Sequence, residues 1–438
     1  MASPVAITEL DRKPSSCPFL YTWNGARFEF VTDFMGAGEM GYWEAPGVTN
    51  VPNPDEYVRI RGDQLQARDG RFDLRVTNEL EETLFVDRLE LLAVTHPADV
   101  AIFPNEGMTD PPKPFRLYAA RDLGPPARAV DGHGHDVTER IAWLDRWYPD
   151  DFALSAFRGY ADTHTLTLTL AHPDRPMLLV LTGWTDYAFS SDNVAAHQAG
   201  LALQPPRLEV REMDGTWRTL VADIGVPVGS PQTIVVDLGP RLPSADVRIV
   251  TNMRIYWDQI LVGTPAPPVE TAGTRIDRMD PVRAHLRWHG FSAETAHQPP
   301  TYDYESVTNE SPWKVMPGRY TREGDVRALL MHVDNQFVIM RPGDEIAVSF
   351  DATRVRPTQA ASTRTFLLFA DGYSKEMDIN SASPDQVEPL PYHGMTRYPY
   401  VPPKHFPDTP ALRRYRAQYN TRIVARPLPS LDLPAERH

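Results

Sequence analysis

The sequence predicts a mainly β protein of two or three antiparallel β-sandwich domains, of the jelly-roll, galactose-binding-like kind, joined by proline-rich linkers. Short stretches of alternating apolar and polar residues recur along the 438 residues, at the spacing of roughly 8–12 residues that is typical of sandwich strands. The chain also has 43 prolines, about twice the usual share. Because proline lacks an N–H group and has a fixed φ, such a chain must be rich in loops and strand edges.

The first predicted domain, residues 1–115, begins with a β-hairpin. Asn24 and Gly25 lie between its two strands and supply the positive φ that a type I′ turn needs. A proline-rich link over 111–126 marks the end of the domain. The strands that hydrophobic periodicity predicts here are 19–23, 28–31, 72–77 and 85–94.

The second predicted domain, residues 128–263, has a hairpin turn at Asp214 and Gly215 and a helical turn over 193–201. Its predicted strands are 163–170, 177–181, 208–212, 217–221, 233–238, 247–250 and 255–262.

The third predicted domain, residues 274–438, follows a linker over 263–273. Thr409 before Pro410 resembles a helix N-cap and predicts a short helix over 412–419, before an irregular proline-rich tail. Its predicted strands are 284–288, 337–340, 345–350 and 365–370.

Charge and composition exclude several classes of protein. The net charge of −14 argues against nucleic acid and anionic membrane surfaces as partners, since both require a basic surface. No apolar run approaches the ~20 residues of a membrane span. Residues 1–13 lack the apolar core of a signal peptide. Cys17 is the single cysteine, so we expect no internal disulfide.

Motifs for catalysis are weak, and the sequence favours a protein that is not an enzyme. There is no Gly-x-Ser-x-Gly motif. The glycine-rich segment 36–41 matches a dinucleotide-binding pattern but lacks a surrounding βαβ unit. A glycan-acting hydrolase would need two carboxyls ~5–9.5 Å apart. The candidate pairs are Asp186 with Asp258, and Asp303 with Glu305.

Aromatic residues beside carboxylates at strand ends suggest a ligand site. Aromatic faces stack on sugar rings, and polar groups fix the hydroxyls. The alternative is that Trp184 and Tyr187 are core or edge aromatics, because tryptophan is mostly buried. The candidate ligand-binding residues are Trp184, Asp186, Tyr187, Asp192, Asn193, Trp257 and Asp258.

Two segments contain residues that could bind metal. His133 and His135 would lie on one face of a strand and could share a transition metal with Asp136. An exposed turn explains this Asp- and Gly-rich segment without a metal, and we expect the turn.

The second segment has oxygen ligands for Ca²⁺, the only cofactor that the sequence suggests. Lys375 in the middle of this segment argues against Ca²⁺, and an Asx-stabilised turn is the alternative. The candidate ligands are Asp371, Glu376, Asp378 and Asn380.

Five segments of the chain are similar to known proteins: 17–25, 77–80, 183–187, 255–260 and 387–395. Together they resemble the C-terminal region of large bacterial proteins that carry FG-GAP repeats and an ASPIC/UnbV segment, related to cartilage acidic protein. The resemblance covers nearly the whole chain and implies an exported, mainly β accessory region, extracellular or periplasmic, with no catalytic residues.

Two departures from that family matter. The FG-GAP repeats are missing. Relatives often read Asp-Gly-Trp-Asp-Lys-Asp where this chain has Asp-Gly-Tyr-Ser-Lys-Glu over 371–376. Ser374 thus replaces a carboxylate and weakens the case for Ca²⁺.

The sequence therefore predicts a non-catalytic binding or accessory protein that recognises a glycan or a protein partner. A glycan-acting hydrolase and a structural assembly subunit are the alternatives.

Overall fold

The computed structural model describes residues 16–267 and 274–425. The protein is mainly β, with several antiparallel sheets and two α-helices in these residues, which confirms the predicted class. No helix in this part of the chain is long and apolar enough to cross a lipid bilayer. The predicted absence of a signal peptide over 1–13, and parts of the linker over 263–273 and of the tail, lie outside the described residues.

The first segment of the chain contributes eight strands. Its opening hairpin is confirmed, since the first two strands pair on either side of residues 24–27. The predicted type I′ turn is wrong: Gly25 has a φ of 101°, but Asn24 has no positive φ, and a hydrogen bond from Asn24 N to the Arg27 carbonyl at 3.1 Å closes a four-residue loop. The strands are β1 (Phe19–Trp23), β2 (Phe28–Asp33), β3 (Trp43–Ala45), β4 (Val48–Thr49), β5 (Asp55–Arg61), β6 (Ala67–Arg68), β7 (Arg71–Thr77) and β8 (Glu82–Pro97).

The middle segment forms two five-stranded sheets around one apolar core. The helical turn predicted over 193–201 is a helix that begins three residues earlier. The elements are β9 (Ala101–Pro104), β10 (Leu117–Gly124), β11 (Arg128–Asp131), β12 (Tyr160–Thr169), β13 (Leu178–Thr185), α1 (Ser190–Gln198), β14 (Arg207–Arg211), β15 (Trp217–Val221), β16 (Gly229–Asp237), β17 (Asp246–Met253) and β18 (Ile255–Pro265). The strand orders are β16-β13-β18-β10-β9 and β11-β12-β17-β14-β15.

The last segment contains the predicted short helix near its end, and the helix begins two residues earlier than predicted. The Thr409 side chain accepts a hydrogen bond from Leu412 N at 3.2 Å, and Pro410 is the first helical residue, as the N-cap pattern predicts. The elements are β19 (Arg275–Met279), β20 (Pro281–Trp288), β21 (Phe291–Glu294), β22 (Tyr302–Thr308), β23 (Gly318–Tyr320), β24 (Gly324–Asp325), β25 (Val338–Met340), β26 (Asp344–Asp351), β27 (Ser362–Glu376), α2 (Pro410–Tyr419) and β28 (Arg422–Val424).

The first and last segments share their two main sheets. One sheet has the order β2-β1-β7-β26-β20-β24, with β6 on β7, and the other has the order β19-β8-β27-β5, with β25 on β8. Side chains of both sheets meet in one core. The strands that the sequence assigned to domains 1–115 and 274–438 thus belong to one two-layer unit, and the middle segment is inserted between them. Local patterns cannot show this pairing, because its partners are hundreds of residues apart.

The outer face of the β19-β8-β27-β5 sheet positions the candidate site. Alternation along β27 sends Leu368 into the core and Leu367 to the outer face. Near Leu367 this outer face is covered by Ile102 of β9 and Ala119 of β10. Further along β27, Tyr373 lies under a second cover built from residues such as Phe337, Leu390 and Tyr398. A depression remains between the two covers.

Candidate functional site

A cavity of about 530 Å³ occupies this depression, and we call it the Asp371 pocket. Its walls combine aromatic rings with charged groups, the usual composition of a site for a polar ligand. The residues that line it are Pro54, Asp55, Tyr57, Arg88, Glu90, Arg278, Val333, Phe369, Asp371 and His393.

One wall of the pocket is aromatic. The ring of Tyr57 stacks on Phe115 with a centroid distance of 3.5 Å and an interplanar angle of 14°. Phe369, opposite Tyr57 in the strand register, lies 4.8 Å from the same ring. Cross-strand aromatic pairs of this kind hold each other in place, so the pocket has a rigid apolar surface.

A second wall carries an ionic network. Glu90 is buried and accepts hydrogen bonds from Arg88 Nη2 at 3.2 Å and from Arg278 Nη1 at 2.7 Å. Arg88 Nε is also buried and has no hydrogen-bond partner within the described part of the chain. Since a buried donor without a partner is costly, this nitrogen is available to a bound ligand or water.

Two residues that line the pocket, Asp371 and His393, belong to a carboxyl–imidazole cluster. His393 Nε2 lies 2.9 Å and 3.1 Å from the two carboxyl oxygens of Asp371. On the other side of the ring, Nδ1 lies 2.9 Å from Asn335 Oδ1 and 3.5 Å from Asp87 Oδ2. Asp87 Oδ2 also accepts hydrogen bonds from the backbone N–H groups of Asp334 and Asn335, both at 2.9 Å.

The pKa values of these groups reflect their crowding. Burial lowers the pKa of His393, but the Asp371, Asp87 and Asp55 carboxyls outweigh this effect, so the pKa is raised overall. Burial raises the pKa of Asp87 to about 7. Loss of hydration, together with a hydrogen bond to Asp371, raises the pKa of Asp55 to about 6. Burial of the two carboxyls and the negative charges around His393 therefore raise the pKa values of His393, Asp87 and Asp55 together.

A β-bulge brings Asp87 into this cluster. Asp371 pairs with Arg88 and Gly372 pairs with Val86, so Asp87 has no opposite residue on β27. A Cβ atom on Gly372 would lie 2.4 Å from the Phe85 carbonyl oxygen, so only glycine fits this close approach. Bulges occur frequently beside functional sites because they redirect side chains.

The predicted ligand-binding aromatics lie elsewhere and are largely buried. Trp184 stacks on Tyr256 with a centroid distance of 4.4 Å and is 5% exposed. Trp257 belongs to the core between the two sheets of the middle segment. Tyr187 is buried, and burial raises the pKa of its hydroxyl.

The polar members of that predicted site have structural partners. Asp186 forms ion pairs with Arg158 and Arg254. The Asn193 side chain accepts a hydrogen bond from the Tyr160 hydroxyl and donates to the Tyr42 hydroxyl and the Trp43 carbonyl. Asp192 accepts a hydrogen bond from Phe189 N at 3.0 Å at the start of α1. Asp258 is buried and accepts one from Arg146 N at 2.8 Å, and burial raises the pKa of Asp258 to about 6. Ligand binding by the seven predicted residues stays a prediction.

The second predicted carboxyl pair is on the surface. Asp303 and Glu305 alternate with buried tyrosines along β22 and face outward. Glu305 N donates to Asp303 Oδ1 at 3.2 Å, an arrangement typical of an exposed strand rather than of a cleft.

The segment predicted to bind Ca²⁺ is part of strand β27 up to Glu376. Its four predicted ligands therefore lie in two different places and do not surround one ion. Asp371 lies in the Asp371 pocket. Lys375 is buried and donates to Tyr398 Oη at 2.7 Å and to the Gln386 carbonyl at 2.6 Å, and burial lowers the pKa of Lys375 to about 7. The pairing of β27 with β8 along its whole length outweighs the turn preference of Asp and Gly.

The other three predicted Ca²⁺ ligands meet the first turn of α1. Glu376 accepts a hydrogen bond from Ser190 Oγ at 2.5 Å, and Asp378 accepts one from Ser191 N at 3.2 Å. Asn380 Nδ2 donates to Ser191 Oγ at 2.9 Å. Carboxylates at this end of a helix are favourable because the backbone N–H groups there are unsatisfied. This contact attaches the end of β27 to the middle segment.

His133 and His135 both lie in an exposed turn, in which the His135 ring is beside two carboxylates. His135 Nδ1 lies 3.1 Å from Asp131 Oδ2 and 3.3 Å from Asp151 Oδ2, and these three residues form an exposed group with close ligand atoms. Asp131 Oδ1 accepts the backbone N–H groups of His133 and His135 at 2.9 and 2.8 Å, which is the hydrogen bonding of an Asx turn. Asp136, the other predicted ligand, forms an ion pair with Arg128 at 3.0 Å.

Comparisons with known proteins assign no function to this site. No protein-family model matches the chain, and no curated protein matches it. Among solved structures, the VP16-VP17 complex of bacteriophage P23-77, a complex of its two major capsid proteins, is 9% identical and matches over 74% of this chain and all of that chain, with a TM-score of 0.11. A TM-score this low supports no inference about fold or function.

Of the residues that line the pocket, only Asp371 is predicted from the sequence, as a Ca²⁺ ligand. The alternation Asp55-x-Tyr57 on β5 and Arg88-x-Glu90 on β8 was a usable signal, because both pairs place polar or aromatic side chains on one face of a strand. His393 lies in an irregular segment and has no such local signal.

Proposed function

We propose that this chain is a non-catalytic β-sandwich protein, of jelly-roll or galactose-binding-like type, that binds a glycan or another hydroxyl-rich ligand in the Asp371 pocket. The observation that carries the proposal is the combination of an aromatic wall and a charged wall in one open cavity of about 530 Å³.

Both walls suit a sugar. Tyr57 and Phe369 offer the apolar ring surface that remains beside the Tyr57–Phe115 stack, and the C–H groups of a pyranose can pack against it. Asp55 can accept hydrogen bonds from hydroxyls, and Arg88 and Arg278 can donate to ring and hydroxyl oxygens. Glu90 pairs with both arginines, and Asp55 and Asp371 add two further carboxyls to the lining. Because the charges of the two signs are balanced in this way, the pocket favours a neutral polar ligand over a strongly charged one.

The geometry supports binding better than hydrolysis. Asp55 and Asp371 are opposite each other in the register of β5 and β27, and burial together with the neighbouring Asp371 carboxyl raises the pKa of Asp55 to about 6. This pairing favours one shared polar surface over two carboxyls held on opposite sides of a substrate at the ~5–9.5 Å of a glycosidase. A protein ligand, a role in assembly, membership of the ASPIC/UnbV group and an extracellular or periplasmic location stay predictions.

Substitutions on the two sides of the pocket test this function. We expect Tyr57→Ala and Asp55→Asn each to weaken retention of the bound sugar on a glycan array at least about tenfold, which corresponds to ~1.4 kcal/mol. Titration calorimetry with the sugar identified on the array measures the loss directly.

Asp303→Asn is the matched control, because Asp303 is an exposed strand aspartate on β22 and does not line the pocket. It should leave sugar affinity unchanged, and all three variants should retain the wild-type melting temperature within a few degrees. A wild-type protein that retains no glycan would refute the proposal. Undiminished sugar affinity in both pocket variants would refute it as well.

A further inference from the structure

Asp87, Asp371 and His393 have the spacing of metal ligands. One potential ligand atom of each lies within 4.8 Å of those of the other two. Nitrogen and oxygen ligands of Zn²⁺ lie about 2.0–2.2 Å from the ion in tetrahedral geometry, so two ligand atoms are about 3.4 Å apart. Small side-chain movements would therefore place all three around one ion.

An unsatisfied atom in the same cluster independently points to a ligand. The Asp87 side chain is 0% exposed, and its Oδ1 has no hydrogen-bond partner in residues 16–267 and 274–425. The carboxyl group that carries this oxygen faces the His393 ring, because Oδ2 lies 3.5 Å from Nδ1. Buried polar atoms in native proteins are nearly always satisfied, and a cation would satisfy this one.

We propose that Asp87, Asp371 and His393 bind a divalent transition-metal ion at the Asp371 pocket. The imidazole selects a metal of the Zn²⁺ type over Ca²⁺, which prefers oxygen ligands throughout. This site differs from the Ca²⁺ segment that the sequence suggests, since Asp371 is the one residue common to both.

The surroundings of the three ligands suit a metal site. Asn335 Oδ1 faces His393 Nδ1 and fixes the ring, while Nε2 faces Asp371. The backbone N–H groups of Asp334 and Asn335 fix Asp87. Such outer contacts orient the ligands of most metal sites. Because Asp371 and His393 line the cavity, part of the coordination sphere faces it and is open to water or a ligand.

The metal proposal does not depend on the glycan proposal, because it is tested with the metal ion alone. Wild-type protein without a histidine tag is stripped with a chelator and titrated with Zn²⁺. We expect one equivalent to bind. His393→Gln and Asp371→Asn should each weaken Zn²⁺ binding at least about 100-fold, since each removes a direct ligand.

His135→Gln and Asp131→Asn are the matched controls, because these residues form the exposed group with similar ligand spacing. They should leave the affinity for Zn²⁺ unchanged. The proposal is overturned if the wild-type protein binds no Zn²⁺, or if the His135 variant loses the ion while the His393 variant keeps it.

Anomalous diffraction from wild-type crystals soaked in Zn²⁺ gives an answer even if a variant fails to fold. The expected peak lies between Asp371 and His393. A peak at Asp131 and His135 alone, or at no protein ligand, would overturn the assignment.

Discussion

Replacing Arg422 with methionine should lower the free energy of unfolding by about 3–5 kcal/mol, the usual cost of removing one partner of a buried ion pair. Asp344 is fully buried, and its two carboxyl oxygens each accept a hydrogen bond from the Arg422 guanidinium. Arg341 N supplies a further hydrogen bond at 3.0 Å. Without Arg422, a buried carboxyl would lose its main counter-charge.

Chemical denaturation of the wild type and of Arg422→Met measures this loss. Arg413→Met is the matched control, since Arg413 pairs with Asp408 on the surface at 2.8 Å and should contribute less than ~1 kcal/mol. The double variant Arg422→Met, Asp344→Asn should recover part of the loss, because it removes the uncompensated carboxylate. A change below ~1 kcal/mol in Arg422→Met would contradict the expectation.

The second large effect concerns pH, and we expect the protein to be more stable at pH 5 than at pH 8.5. Three carboxyls cluster where β16 meets the strands of the other unit. Burial raises the pKa of Asp33 to about 7, of Glu56 to about 8 and of Glu106 to about 7. Their ordinary values are about 4.

The direction in which stability changes with pH follows from proton linkage. A carboxyl whose pKa is raised by folding stabilises the folded state fully below its unfolded pKa of about 4. This contribution is lost as the pH rises through the folded pKa of about 7–8. The three groups together should account for several kcal/mol between pH 5 and pH 8.5, at about 1.4 kcal/mol for each unit of pKa.

Lys375 has the opposite effect on the pH dependence of stability. Burial lowers its pKa to about 7, so its contribution to stability is lost as the pH falls through that value. One lysine offsets only part of the effect of three carboxyls, and the net slope should still favour pH 5.

Denaturation at pH 5, 7 and 8.5 should show this slope in the wild type. The double variant Glu56→Gln, Glu106→Gln should show a flatter one, because both amides remain neutral throughout. Asp303→Asn, with an exposed carboxyl, should leave the slope unchanged. Equal slopes in the wild type and the double variant would contradict the role of these carboxyls.

Local chemistry explains what the sequence predicted well. Asn24 and Gly25 specify a turn by themselves, and Thr409 and Pro410 start a helix by themselves, because each depends on the conformational preference of one or two residues. The structure contains both features.

Long-range pairing explains what the sequence could not predict. Val86 and Leu89 both face the core although they are three residues apart, which strict alternation forbids. The bulge at Asp87 that causes this exists only because β8 pairs with β27, nearly three hundred residues later. The approach of Asp87 and Asp371 to His393 depends on the same pairing, so no local pattern reveals it.

The junction at β16 has a consequence for how the two units are connected. β16 lies at the edge of its sheet, and its backbone N–H groups at Ser230 and Thr233 donate to Asp33 Oδ2 at 2.9 Å and Glu106 Oε2 at 2.7 Å. Side-chain oxygens thus take places that a neighbouring strand of another molecule would otherwise occupy. An unprotected edge strand promotes aggregation. Asp33 of the other unit and Glu106 of the middle segment itself therefore both help to keep the chain from joining other copies edge to edge.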